Sequence, residues 1–128
     1  TDIVNFACLS GDHNAPHIDH EFCKTQPYGE PIAHGPLVLA MVGGLQCLSG
    51  INDGKIIAMM GLDQWRMHLP VKAGDTIYAV ITPKEKKLTS SGTKGIVTCD
   101  RIVYNQRDEI VHTMVISNMY KCRPVETI

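Results

Sequence analysis

The sequence predicts an α+β fold, one long buried helix layered on an antiparallel β-sheet, from three observations. A single apolar stretch of helical character occupies residues 36–48. Four long stretches rich in Ile, Val, Thr and Tyr follow one another after Asn52. A chain of 128 residues with 44% hydrophobic content can bury one core without disulfides or metals to staple it. With no internal repeat, no low-complexity tract and no composition shift to mark a linker, residues 1–128 are expected to form one domain.

Taken in order, residues 2–9 read as a short amphipathic helix, and Asp19 is placed to cap a second one running through Cys23. The long helix starts at Pro36, which suits a first helical position, and stops by Gly50. Leu37, Val38, Leu39, Ala40, Met41, Val42, Leu45, Cys47 and Leu48 leave it almost no polar face, so it should be buried all round. Strands are expected over residues 55–68, 75–87, 94–105 and 109–120. Residues 105–108 look like a hairpin connection and Ser90-Ser91-Gly92 like another turn, so the strands should form a meander able to wrap the helix. Residues 70–75, PVKAGD, break the strand pattern as a turn. Lys72 in that turn is either a solvated lysine or a contact for an anionic substrate group.

Charge is nearly balanced, with 12 Lys and Arg against 13 Asp and Glu, and no basic stripe alternates with aromatics, which argues against a nucleic-acid partner. The longest apolar run, residues 37–48, is shorter than the roughly 20 residues of a membrane span. The five cysteines form no CxxC pair and suit buried thiols in a reducing compartment, which points to a soluble cytoplasmic protein.

The unusual segment is residues 10–20, SGDHNAPHIDH, which packs three imidazoles and two carboxylates outside any obvious regular element. Gly11 and Pro16 bend and stiffen it, and Asn14 can hydrogen-bond its own chain, so a fixed geometry for Asp12 and His17 is expected. Three interpretations compete on the residues alone. The segment could be a surface turn with Asp12 and Asn14 capping backbone amides. It could be a metal site built from His13, His17, His20 and Asp19, although no HExxH or CxxC pattern accompanies them. It could be an Asp/His acid–base pair. A second segment, Ile32-Ala33-His34-Gly35-Pro36, leads into the apolar helix and puts the Gly35 N–H at a helix N-terminus, where it can stabilise negative charge on an oxygen. Singly, Gly35 also reads as a plain helix-entry glycine and His34 as a partly buried imidazole.

Together these segments resemble the MaoC-like dehydratase and R-specific enoyl-CoA hydratase family, whose usual pattern is close to SGDxNPxHxD followed by an (I/A)HG step into a central helix. The chain has FACLSGDHNAPHID over residues 6–19 and IAHGPL over residues 32–37, and the Asp-to-His spacing of five agrees. Residues 65–76, WRMHLPVKAGDT, resemble the family's RFxxPVxxGDT passage. In one departure, the proline of the Asn-Pro pair falls one place later, as Asn14-Ala15-Pro16. The chain also begins at Thr1, within the helix leading into the motif, where the family usually carries an additional N-terminal strand.

The resemblance implies a hot-dog fold, a central helix wrapped by an antiparallel sheet, and reversible addition of water to trans-2-enoyl thioesters of coenzyme A or acyl carrier protein, giving R-3-hydroxyacyl thioesters. It implies Asp12 and His17 as the acid–base pair and the Gly35 amide as the oxyanion donor, with Asn14, His34 and Lys72 as candidate substrate-binding residues. Asp19 and His20 are expected to cap the following helix. No metal or redox cofactor is expected, the carrier being part of the substrate. A homodimer joined edge to edge is the expected assembly. Met41, Trp65 and Met67 should shape the acyl pocket. The rival functions are an acyl-thioesterase on the same fold and a non-catalytic acyl-thioester-binding subunit.

Overall fold

The computed structural model describes residues 1–123, so residues 124–128 of the expected domain lie outside it. The elements are α1 (Asp2–Ser10), α2 (Ala15–Ile18), α3 (His20–Lys24), α4 (Gly35–Leu48), β1 (Ile56–Met67), β2 (Tyr78–Leu88), β3 (Lys94–Tyr104) and β4 (Ile110–Lys121). All four strands lie within two or three residues of their expected bounds. The long helix starts one residue earlier than expected, with His34 as its N-cap and Pro36 in its first turn. Helix α2, in the segment expected to be irregular, is the element the sequence did not announce.

The sheet is antiparallel in the order β1-β4-β3-β2. Strands β2, β3 and β4 form the expected meander, closed by turns in which Gly92 and Asp108 take positive φ of 70° and 59°. In the second turn the Asn105 side-chain oxygen accepts from the amides of Arg107 and Glu109. Strand β1 does not continue the meander, because it pairs with β4 across the sheet rather than with β2. The chain between β1 and β2 is tied instead to the entrance of α4: the Ala33 amide donates to the Val71 carbonyl at 2.6 Å, and Ile32 bridges to Lys72.

Val38 and Val42 of α4 pack with Val71, Val103, Val111 and Met114 to form the core, and each such buried side chain contributes about 1.5–3 kcal/mol. Val38, Val42 and Gln46 lie four residues apart and make one buried stripe along α4. The expected burial of this helix on every side is not met within one chain, since Met41, Leu45 and Leu48 are 42%, 41% and 84% exposed. Four strands cover only one flank of a helix this long, and the other flank stays apolar and open. The layering is otherwise that of the hot-dog fold.

One polar pair crosses the core. The buried Arg101 of β3 donates from Nη2 to Oε1 of the buried Gln46 at 2.6 Å, while its Nε has no partner among the described residues. Burial lowers the pKa of this guanidinium. No helix among the described residues is long and apolar enough to cross a membrane.

Candidate active site

The site is built where the end of α1 meets the entrance of α4. Gly11 ends α1 in the left-handed region, with φ 78°, a conformation that a side chain would strain, and its amide closes on the Ala7 carbonyl. This reversal projects Asp12 back across the loop. Asn14 then holds one carboxylate oxygen from two sides, its side-chain amide donating to Asp12 Oδ1 at 2.6 Å and its backbone amide at 3.3 Å. Asn14 therefore leaves the first turn of α2 without a side-chain cap and pins the carboxylate instead. Pro16 sits within that first turn, where its missing N–H is harmless, and the displaced proline is accommodated by a short helix.

Helix α2 carries His17, whose Nδ1 lies 2.8 Å from the Ile32 carbonyl oxygen. A carbonyl only accepts, so Nδ1 bears the proton and the neutral ring presents a lone pair at Nε2. That Nε2 lies 3.9 Å from Asp12 Oδ2, the oxygen Asn14 leaves free. The Ile32 amide in turn donates to the Pro16 carbonyl, so the two segments brace each other. Beneath α2, Cys23 of α3 lies fully buried with its thiol against the Ala15 and Pro16 carbonyls. Helix α3 is capped as expected, by Asp19 accepting from the Phe22 amide at 3.0 Å.

His34, expected to bind substrate, is 1% exposed and stands behind His17. The two rings stack at 3.7 Å with planes 19° apart, and Phe6 meets the far side of His34 edge-on. His34 Nε2 lies 2.9 Å from the Asp12 carbonyl, so it donates there and supports both members of the acid–base pair. Asp12, His17 and His34 also have the composition of a metal site. Their ligand atoms lie within 4.8 Å of one another, and the stacking sets the in-plane lone pairs of the two imidazoles in near-parallel planes. His13 and His20 take no part in this group.

A cavity of about 380 Å³ opens beside His17 and Gly35, lined also by Tyr28, Met67, Leu69 and His112. The Gly35 N–H, at the head of α4, has no acceptor within the helix. A Cβ at this position would run into the Met67 sulfur and come within 3.6 Å of the Trp65 ring, so the glycine keeps the helix entrance open to the sheet. Lys72 lies outside this cavity. It lines two neighbouring hollows and pairs with Glu30 at 3.7 Å. Met41, one of the residues expected to shape the acyl pocket, likewise lines a neighbouring hollow.

His112 was missed from sequence. It is 3% exposed on the inner face of β4, and its Nδ1 accepts from the Trp65 indole N–H at 3.0 Å. Burial, with a smaller effect from His68, lowers its pKa to about 4, so it is neutral at physiological pH. The signal for it was present: alternation along β4 sets His112 on one face with Met114, Ile116 and Asn118, a lone imidazole in a buried row.

Residues 1–105 match the family model described as MaoC like domain. Protein MaoC of Klebsiella aerogenes is 41% identical over 85 residues, 66% of this chain and 25% of that protein. The (R)-specific enoyl-CoA hydratase of Aeromonas caviae is 32% identical over 100 residues, 76% of this chain and 72% of the relative. Among solved structures, a protein from Archaeoglobus described as a monoamine oxidase regulatory protein superposes with a TM-score of 0.89 at 36% identity, covering 96% of this chain and 82% of that one. Against the relatives it matches first, the chain spans only a quarter to a half of their length. Fold, motif order and sequence agree, and the chain belongs to the MaoC-like domain family.

Proposed function

We propose that this domain adds water reversibly to trans-2-enoyl thioesters of coenzyme A or acyl carrier protein, giving R-3-hydroxyacyl thioesters. The observation that carries this is the facing pair, His17 Nε2 with its lone pair free and Asp12 Oδ2 with its partner oxygen pinned, 3.9 Å apart. That gap is too long for a direct hydrogen bond, but an oxygen about 2.8 Å from each atom fits at the apex of a triangle on both. A water held there loses a proton to His17 as its oxygen bonds to carbon 3. Carbon 2 then takes a proton from the same pair, which returns it to its starting state. Negative charge builds on the thioester oxygen in between, and the Gly35 amide is its donor, a contact worth roughly a hundredfold or more in rate. Water addition leaves the overall oxidation state unchanged, so the reaction calls for no redox cofactor.

The same proposal includes a homodimer. The outer edge of β1 is unpaired among the described residues, and Ile57, Met59 and Met60 on it are 41%, 58% and 51% exposed. The opposite edge strand, β2, carries Pro83, Lys84, Lys86 and Lys87, which discourage pairing. A second copy joining at β1 would cover this apolar surface. The five free thiols suit the reducing compartment, such as the cytoplasm, in which we place the chain.

A non-catalytic role is the second reading, favoured by the regulatory description of the Archaeoglobus relative. One experiment separates the two. Enoyl absorbance of crotonyl-CoA and a longer enoyl-CoA is followed with wild type, Asp12→Asn and His17→Ala, with thiol release monitored alongside. Hydration lost in both variants without thiol release is the expected result. Thiol release would replace it with a thioesterase, and binding without turnover with the non-catalytic role.

A further inference from the structure

The cavity beside His17 is mostly apolar, yet besides the exposed His68 it has in its wall a buried imidazole, His112, that the hydration chemistry does not use. Trp65 fixes how that imidazole presents itself. An indole N–H can only donate, so His112 Nδ1 must be the acceptor and the ring proton must sit on Nε2. Nε2 has no protein partner among the described residues, and the ring borders the cavity. Rotating the ring or moving the proton would break the Trp65 contact, so the donor is fixed. Of the remaining lining, Ile32, Ala33, Met67, Leu69, Pro70 and Val71 are apolar, while Tyr28 and His68 are polar but make no hydrogen bond to it, His68 being bonded to Thr113 instead.

On the basis of the proposed thioester substrate, we infer that the Nε2–H of His112 is a specificity-determining donor selecting acyl groups that carry an oxygen acceptor along the chain, with Trp65 as its positioning residue. A plain alkyl chain filling the cavity displaces water from this N–H and leaves a buried donor unpaired. An acyl chain bearing a hydroxyl or keto oxygen replaces that water and keeps the bond. The penalty of an unpaired donor corresponds to about tenfold or more in affinity.

The test uses saturated ligands, which cannot be hydrated, so binding is read independently of turnover. Calorimetric Kd values are measured for hexanoyl-CoA and for its isomers hydroxylated at carbon 4, 5 or 6. Wild type should bind at least one hydroxylated isomer about tenfold or more tightly than hexanoyl-CoA. His112→Leu should lose that preference while binding hexanoyl-CoA at least as well, His112→Gln should restore part of it, and Trp65→Phe should weaken it by freeing the tautomer. If His112→Leu fails to fold, the Gln and Trp65→Phe variants carry the comparison. No preference at any position, no binding of any isomer, or a preference that survives loss of the imidazole would overturn the inference. A preference found in a protein that does not hydrate hex-2-enoyl-CoA would uphold the donor and sink the hydratase assignment instead.

Discussion

The short helix α2 that carries His17 and the strand pair that carries His112 border the same cavity and hold the same side chain in opposite states. His17 gives its Nδ1 proton to a backbone carbonyl and turns a lone pair toward Asp12. His112 receives an indole proton at Nδ1 and turns an N–H outward. One is thereby prepared as a base and the other as a donor, and the difference lies in the partner of the far ring nitrogen rather than in the imidazole. Where such a ring works is decided by what stands behind it.

The largest expected effect breaks the base side of this contrast. His17→Ala and Asp12→Asn should each lower kcat for enoyl-CoA hydration by roughly a hundredfold or more, leaving the unfolding temperature near that of wild type. His17 is mostly buried and Asp12 partly exposed, at 15% and 40% side-chain exposure, and neither belongs to the apolar core.

The donor side should appear in the pH dependence of stability. An unfolded chain takes up a proton at His112 near pH 6.5, whereas the folded chain refuses it until about pH 4. Stability from this site is complete above pH 6.5 and is lost as pH falls to about 4, by up to about 3 kcal/mol. His112→Gln should flatten that fall. His17 and His68, which share the cavity, stay in both proteins, so the difference between urea midpoints at pH 7 and pH 4.5 reports residue 112 together with its coupling to His68.

The buried Arg101 sharpens the contrast by serving neither role. Gln46→Leu removes its acceptor and should cost about 2–4 kcal/mol in urea unfolding. Adding Arg101→Met should recover most of that, since an apolar pair of similar volume needs no partner. The smallest effect belongs to the loop's scaffold: Asp19→Ala should cost about 1 kcal/mol through the lost cap on the Phe22 amide, with little change in kcat.

The two walls also differ in how far the sequence reveals them. Asp12, Asn14 and His17 lie within one turn-rich segment, and Gly35 heads a helix whose apolar run is plain; spacing alone leaves several interpretations open there, and the resemblance of the ordered motifs singles these residues out. The strands too announce themselves by composition. The Trp65–His112 bond joins residues 47 apart, and it exists because β1 crosses to pair with β4, a choice made by the tether of residues 71 and 72 to the helix entrance. No pattern within either strand states that pairing. His34 moved from binding candidate to support for a similar reason, since its burial depends on Phe6 closing over it from α1. The open flank of α4 depends on where the sheet stops, which periodicity cannot say.

The thiol under α2 has a practical consequence for anyone wishing to label this protein. Burial first, and the nearby Asp19 carboxylate second, raise the Cys23 pKa, so the sulfur stays protonated and is a poor nucleophile. Cys8 and Cys47 are exposed. A maleimide reagent at neutral pH should therefore attach at those two positions, and more slowly at the partly exposed Cys122, while sparing the sulfur beneath α2, giving fluorophore or spin-probe sites on α1 and α4 that report on the helices without disturbing the loop between them.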